Sequence, residues 1–312
     1  MHCTYVTLED TTINLQDHGG EGPPLLLIHG LGGSAGNWAR VADPLARHAR
    51  VVALDLPGHG RSGPAPVYTL DHHVDVVRSA IGHLGWRDVS LMGNSMGALI
   101  AMLVAGRHSE LVRSLILLSP ATPPVGPTVP ADPVASARLV GQSLPAIGPA
   151  IARRYLASRT PTEQIDETLR IVMAAPEQLP SEIRDDAVEL ARLRRTMPWA
   201  LDAFAGSAAS IRRFFTRAGA YRMAVDAVDA PTTMIFGGRD RVVIPESFRW
   251  LARRRLDWRC IELADVGHVP MLERPDIVVR ETARLLRQAG EPDGPDGSAG
   301  VIDADRTKAS AT

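Results

Sequence analysis

The chain has 312 residues, more than one ordinary domain needs; 45% of them are hydrophobic, enough to bury a sizeable core, and 22% are charged, an ordinary globular share. Its 34 basic and 35 acidic residues leave a net charge of −1, which excludes recruitment of nucleic acid or a membrane surface by a global field. Two cysteines, Cys3 and Cys260, exclude a disulfide framework and lack metal-site spacing, as in a reducing compartment.

The N-terminal stretch "MHCTYVTLEDTTINLQ" has neither the basic start nor the apolar centre of a secretory signal. No apolar run approaches the ~18–20 residues of a membrane span, so a cytoplasmic protein without a membrane span is expected. Strand-like runs stand at 5–8 ("YVTL"), 11–16 and 24–29 ("PLLLIH"), the first two joined by a turn at Glu9-Asp10 into an antiparallel edge. Further strands are expected at 51–56, 89–93, 114–119, 232–237 and 259–264. From Leu25 onward these runs are continuously apolar, the pattern of strands buried on both faces of a parallel sheet. Helical patterns at 37–49, 69–84, 96–108, 244–256 and 274–288 separate them. The alternation predicts an α/β fold with a mainly parallel eight-stranded sheet flanked by helices.

The alternation breaks once. Residues 121–228 hold no convincing strand and open in a proline-rich stretch, "PATPPVGPTVPADP", followed by helical segments. A helical cap inserted between two strands of one core (1–120 and 229–288) is expected. The remainder, 289–312, has the composition of a disordered tail.

The chemistry gathers at strand ends. "VSLMGNSMGALIA" (89–101) places Ser95 between Gly93 and Gly97 where a strand runs into a helix, the context that gives G-x-S-x-G meaning. Alone, the same serine would serve as a helix N-cap in a glycine-rich turn. A serine nucleophile needs an adjacent base oriented by a third group. "TTMIFGGRDRVVIP" puts Asp240 just past one buried strand, and "CIELADVGHVPMLERP" puts His268 just past the next. Three such residues at three strand ends, in the order nucleophile, acid, histidine, are hard to explain as three unrelated turns. The N–H of Met96, next to the nucleophile, is one expected donor to a tetrahedral oxyanion. "DLPGHGRS" (55–62) reads as structure, with no role for Asp55 or His59. His72-His73 and Arg253-Arg254-Arg255 read as solvated helix faces. No cofactor and no metal site is expected.

Taken with "LLLIHGLGGSAGNW" (25–38), "VVALDLPGHGRSG" (51–63) and "GHVPMLERP" (267–275), the chain resembles an α/β-hydrolase fold serine hydrolase with a helical cap, of the esterase, lipase-like or perhydrolase-like branch. The resemblance covers about 20–288. It implies Ser95 as nucleophile, Asp240 as acid, His268 as base, and the N–H of Leu31 as the second oxyanion donor. It implies hydrolysis of an ester, or a related acyl bond, of a hydrophobic small molecule; oligomeric state stays open. Two alternatives remain. One is a C–C bond hydrolase of ring-fission products, although here the loop reads "GLGGSAG" and Val269 follows His268. The other is a ligand-binding protein of this fold with little turnover. The insertion's large apolar residues, Met173, Met197, Trp199, Phe204, Phe214, Phe215 and Tyr221, are expected to supply both its own packing and a pocket wall.

Overall fold

A computed structural model describes residues 2–125, 148–289 and 301–303. Its strands are β1 (His2–Leu8), β2 (Thr11–Gly19), β3 (Pro24–Ile28), β4 (Arg50–Leu54), β5 (Val89–Asn94), β6 (Val112–Leu118), β7 (Thr232–Gly237), β8 (Arg259–Leu263) and β9 (Val301–Asp303). They form one sheet in the order β1-β2-β4-β3-β5-β6-β7-β8-β9. β2 pairs antiparallel with both β1 and β4, and from β4 onward every pairing is parallel. The Glu9-Asp10 turn is a two-residue hairpin with positive φ at both positions (47° and 59°), the primed turn whose twist matches the strands it joins. Beyond the eight expected strands, Val301–Asp303 pairs with the outer edge of β8. Val301 and Ile302 are the one adjacent β-branched pair in the tail, and they fall where an open strand edge invites pairing.

Helices cover both faces: α1 (Ala42–Leu45), α2 (Leu70–His83), α3 (Met96–Arg107), α9 (Pro245–Arg254), α10 (Pro270–Glu273) and α11 (Pro275–Gln288). Between β6 and β7 the chain inserts α4 (Gly148–Ala157), α5 (Pro161–Val172), α6 (Ser181–Arg195), α7 (Ala200–Thr216) and α8 (Ala220–Asp226). Residues 126–147 of that insertion, including the later part of its proline-rich opening, lie outside the described residues, as do 290–300 and 304–312 of the tail. No helix among the described residues is long and apolar enough to cross a membrane.

Strand alternation divides the core in two. Leu26, Ile28, Leu115, Leu117, Met234 and Phe236 pack on one face with α2, α3 and α9. Leu25, Leu27, Ile116, Leu118 and Ile235 pack on the other with Trp38, α1 and α11. Both faces being covered is why these strands read as unbroken apolar runs.

The expected helix at 37–49 is not continuous. It divides into a 3₁₀ turn, Ala35–Trp38, and the single turn α1. A helix running on from Asn37 would put Pro44 in its interior, with its ring against the Arg40 carbonyl and no N–H to donate; in α1 Pro44 instead falls in the first turn. His73, expected on a solvated face, is fully buried in α2, and its Nε2 meets Ser207 Oγ of α7 at 2.9 Å.

Candidate active site

Ser95 occupies the junction of β5 and α3 with φ 54° and ψ −114°, a conformation that a non-glycine residue adopts only under strain. The glycines on either side explain how the elbow closes. A Cβ on Gly93 would lie 2.4 Å from the Ala98 nitrogen, and one on Gly97 would lie 2.0 Å from the Ile28 carbonyl oxygen. Neither position has room for any side chain, so α3 lies directly against β3. The Ser95 backbone is anchored from below: its N–H donates to the Leu118 carbonyl at 3.0 Å and its carbonyl accepts from Ala121 N–H at 3.0 Å. Ser95 itself is half-buried.

Asp240 and His268 meet. Asp240 Oδ1 accepts the N–H groups of Val242 (2.8 Å) and Val243 (2.9 Å), which leaves Oδ2 for His268 Nδ1 at 2.6 Å. Both residues are buried. The acid is thus held by the turn that follows β7, and it fixes the imidazole's orientation. The loop carrying His268 is tied to the serine elbow by Asn94, whose Nδ2 donates to the carbonyls of Leu118 and His268, both at 3.1 Å. It is tied to the helical insertion as well: His268 N–H donates to the Val172 carbonyl at 2.7 Å. Glu273 joins the same two parts, accepting from Gly267 N–H and Ala174 N–H at 2.8 Å each and from Ala175 N–H at 3.3 Å. Burial raises its pKa above the usual glutamate value.

The loop after β3 lies beside the elbow: a side chain on Gly30 would come within 3.2 Å of Ser95 Cβ. Gly33 N–H donates to the Gly30 carbonyl at 2.9 Å, closing a turn with Gly32 at φ +68°, where glycine carries no strain. Leu31 is the second residue of that turn, so its N–H is not consumed by the turn's closing bond. Met96 is the first residue of α3, one of the positions whose N–H has no partner within the helix.

His29 supports the loop from beneath. Leu56 N–H donates to its Nε2 at 3.0 Å, so the ring proton is on Nδ1 and donates to the Gly30 carbonyl at 2.7 Å. Burial lowers its pKa to about 3, so the ring is neutral. Asp55 ties the neighbouring segments together, accepting from Ala35 N–H (2.6 Å), Arg61 N–H (2.8 Å) and Asn14 Nδ2 (2.8 Å). This agrees with reading "DLPGHGRS" as structure.

The insertion's apolar residues divide. Met173 is buried in the core layer beside α11, while Phe214, Phe215 and Tyr221 stack against one another and on Trp250. Phe204 is different: its ring lies 3.2 Å from where a Gly32 Cβ would stand, directly over the loop beside Ser95. Sequence reasoning does not single out Asn94, Glu273 or Arg194. Glu273 stood inside "GHVPMLERP", whereas nothing distinguishes Arg194 from the other arginines of α6.

Residues 23–275 match a family model described as alpha/beta hydrolase fold. Over 273 residues the chain is 29% identical to a pimeloyl-[acyl-carrier protein] methyl ester esterase from Chromobacterium violaceum, covering 86% of this chain and 95% of that protein. Over 107 residues it is 40% identical to a 2-hydroxy-6-oxo-6-(2'-aminophenyl)hexa-2,4-dienoic acid hydrolase from Metapseudomonas resinovorans, covering 33% of this chain and 37% of that protein. The curated relatives matched at 43% and 40% identity are thus spanned over only 28% and 37% of their own lengths. Among solved structures, a membrane phospholipase A superposes with a TM-score of 0.70 at 27% identity, covering 93% of this chain and 87% of that one.

Proposed function

The chain belongs to the α/β-hydrolase fold family, and on that premise we propose that it is a serine hydrolase cleaving a carboxylic ester, or a related acyl bond, of a hydrophobic small molecule. The observation that carries this reading is the strained Ser95 elbow beside an Asp240–His268 pair hydrogen-bonded at 2.6 Å. Ser95 Oγ attacks the substrate carbonyl as His268 takes its proton. The oxygen that becomes negative accepts the N–H groups of Leu31 and Met96. Collapse breaks the ester bond, His268 returns the proton to the departing alcohol, and water repeats the sequence on the acyl-enzyme. Asp240 holds the imidazole and stabilises it while it is charged. Residues 1–120 and 229–288 serve as the catalytic core and 121–228 as its cap. The similarity to a methyl ester esterase over 86% of this chain supports ester chemistry.

Purified protein is expected to turn over short p-nitrophenyl esters, with activity lost in Ser95→Ala, and a fluorophosphonate probe should label Ser95. Binding of such esters without turnover in the native protein would replace this reading with that of a ligand-binding protein. The 40% identity over 107 residues to a hexadienoic acid hydrolase favours C–C bond cleavage as the second reading. A vinylogous 1,5-diketone offered beside the esters separates the two.

A further inference from the structure

Arg194 reaches from α6 to the loop beside Ser95. Its Nη1 donates to the Gly32 carbonyl at 2.6 Å and its Nη2 to the Gly33 carbonyl at 2.5 Å. Among the described residues it makes no ion pair with a carboxylate. Arg194 is half-buried and its guanidinium faces two peptide carbonyls, a costly arrangement because no carboxylate contacts it and Asp55 offsets the lost hydration only through a longer-range attraction. Burial lowers its pKa to about 10, still far above neutrality, so the group stays cationic.

The peptide groups of the turn form a chain from that cation. The Gly32 carbonyl shares its peptide with the Gly33 N–H, which donates to the Gly30 carbonyl at 2.9 Å. The Gly30 carbonyl shares its peptide with the Leu31 N–H, and it also accepts from His29 Nδ1 at 2.7 Å. Each donor that pulls on a carbonyl makes the N–H of the same peptide a stronger donor, and chained hydrogen bonds polarise one another in a low-dielectric site.

We propose that Arg194 is a positioning residue of the oxyanion site, its cation fixing the Gly30–Gly33 turn and strengthening the Leu31 N–H through the intervening peptide groups. The proposal rests on the serine-hydrolase reading, in which Leu31 donates to the oxyanion. Its consequence is selective. Arg194 does not touch the ester in the ground state; its influence grows only as negative charge develops on the carbonyl oxygen.

The test uses an uncharged ester, so that no direct attraction between Arg194 and substrate enters. Removing a whole oxyanion donor costs on the order of 10²–10³ in kcat, so weakening one sets a smaller expected loss, about 10–100-fold. Arg194→Gln keeps a neutral donor and is expected to lose that much in kcat with KM within about threefold. Arg194→Lys keeps the charge and should recover part of the loss. A trifluoromethyl ketone, which forms a tetrahedral adduct on Ser95, should bind the Gln variant more weakly in step with kcat, while the matching methyl ketone binds it as before. Native protein that neither turns over esters nor binds the trifluoromethyl ketone overturns the serine-hydrolase reading and this proposal with it. Native activity with a Gln variant that keeps kcat and trifluoromethyl ketone affinity overturns the proposal alone. So does equal weakening of both ketones, which would make Arg194 part of the substrate pocket. A Gln variant that does not fold leaves the decision to Arg194→Lys, in which a point charge replaces the forked donor: a partial loss of kcat with the trifluoromethyl ketone weakened and the methyl ketone unchanged supports the relay, whereas native-like trifluoromethyl ketone affinity, or equal weakening of both ketones, refutes it.

Discussion

Ser95 is held where its own side chain is least welcome. A residue at φ 54° and ψ −114° bears a cost of order 1–3 kcal/mol that glycine escapes. Ser95→Gly is therefore expected to abolish turnover yet raise stability by about 0.5–2 kcal/mol over Ser95→Ala, after allowing for the looser unfolded chain of glycine. Urea denaturation of the two variants measures this, and an equal or less stable Gly variant would show the elbow to be relaxed. The local part of the site was legible for the same reason that the strain exists: an elbow needs glycines at fixed offsets, and Gly93 and Gly97 stand where a Cβ would strike backbone. Asp240 and His268 were legible because each follows a buried strand within a few residues. Arg194 and Asn94 were not, because their roles are hydrogen bonds to carbonyls of distant segments, 162 positions away for Arg194 to Gly32 and 174 for Asn94 to His268. Side-chain type at one position carries no trace of such a partner.

Among elements, strands were read more accurately than helices, since burial on both faces leaves a compositional mark that local breaks do not erase. The 37–49 segment shows the converse: its apolar spacing suits a helix, and one proline divides it. His73 looked solvent-facing because the insertion helix that covers it, α7 with Ser207, is 134 residues away in sequence. The same helix carries Phe204 over the Gly32 turn, whereas Phe214, Phe215 and Tyr221 face the core stack. Phe204→Ala is accordingly expected to shift the preferred ester chain length while fluorophosphonate labelling of Ser95 persists. Phe214→Ala should instead lower stability by about 3 kcal/mol or somewhat less, being half-buried, with the chain-length profile retained. A profile unmoved by Phe204→Ala, across a series from acetate to decanoate, would place the acyl pocket elsewhere.

At the scale of the molecule, three buried histidines stand in a row beneath the Gly30–Gly33 turn. His29 and His59 have ring centroids 5.6 Å apart, and His59 and His73 6.1 Å. Burial holds His29 and His59 at about 3 and His73 well below its ordinary value; His29 faces Arg194, His59 faces His29, Arg194 and Asp55, and His73 faces His59, His72 and His29. A base with a depressed folded pKa takes up its proton on unfolding, so the stability it lends is complete above the unfolded value near ~6.5 and is lost as pH falls toward 3. Glu273, with its raised pKa, works in the opposite sense: the stability it lends is complete below the ordinary glutamate value and is lost as pH rises through its folded pKa. Between pH 7.5 and 5.5 the histidines should cost about 1.4 kcal/mol each, roughly 4 kcal/mol together. Unfolding midpoints that stay level across that interval would contradict neutral burial of the cluster.

The bonds that join His268 N–H to the Val172 carbonyl and Glu273 to Ala174 and Ala175 bear on how this architecture can diversify. The insertion is the part in which family members would be expected to differ, yet its segment at 172–175 is also the socket of the imidazole. A recombinant exchange of the insertion that cuts before residue 172 must bring its own backbone carbonyl and two N–H groups to the places held by those of Val172, Ala174 and Ala175. One that cuts after residue 175 would leave His268 seated. An exchange from α6 onward therefore keeps both sides of these contacts within one parent, whereas an earlier cut makes the seat of the imidazole depend on two.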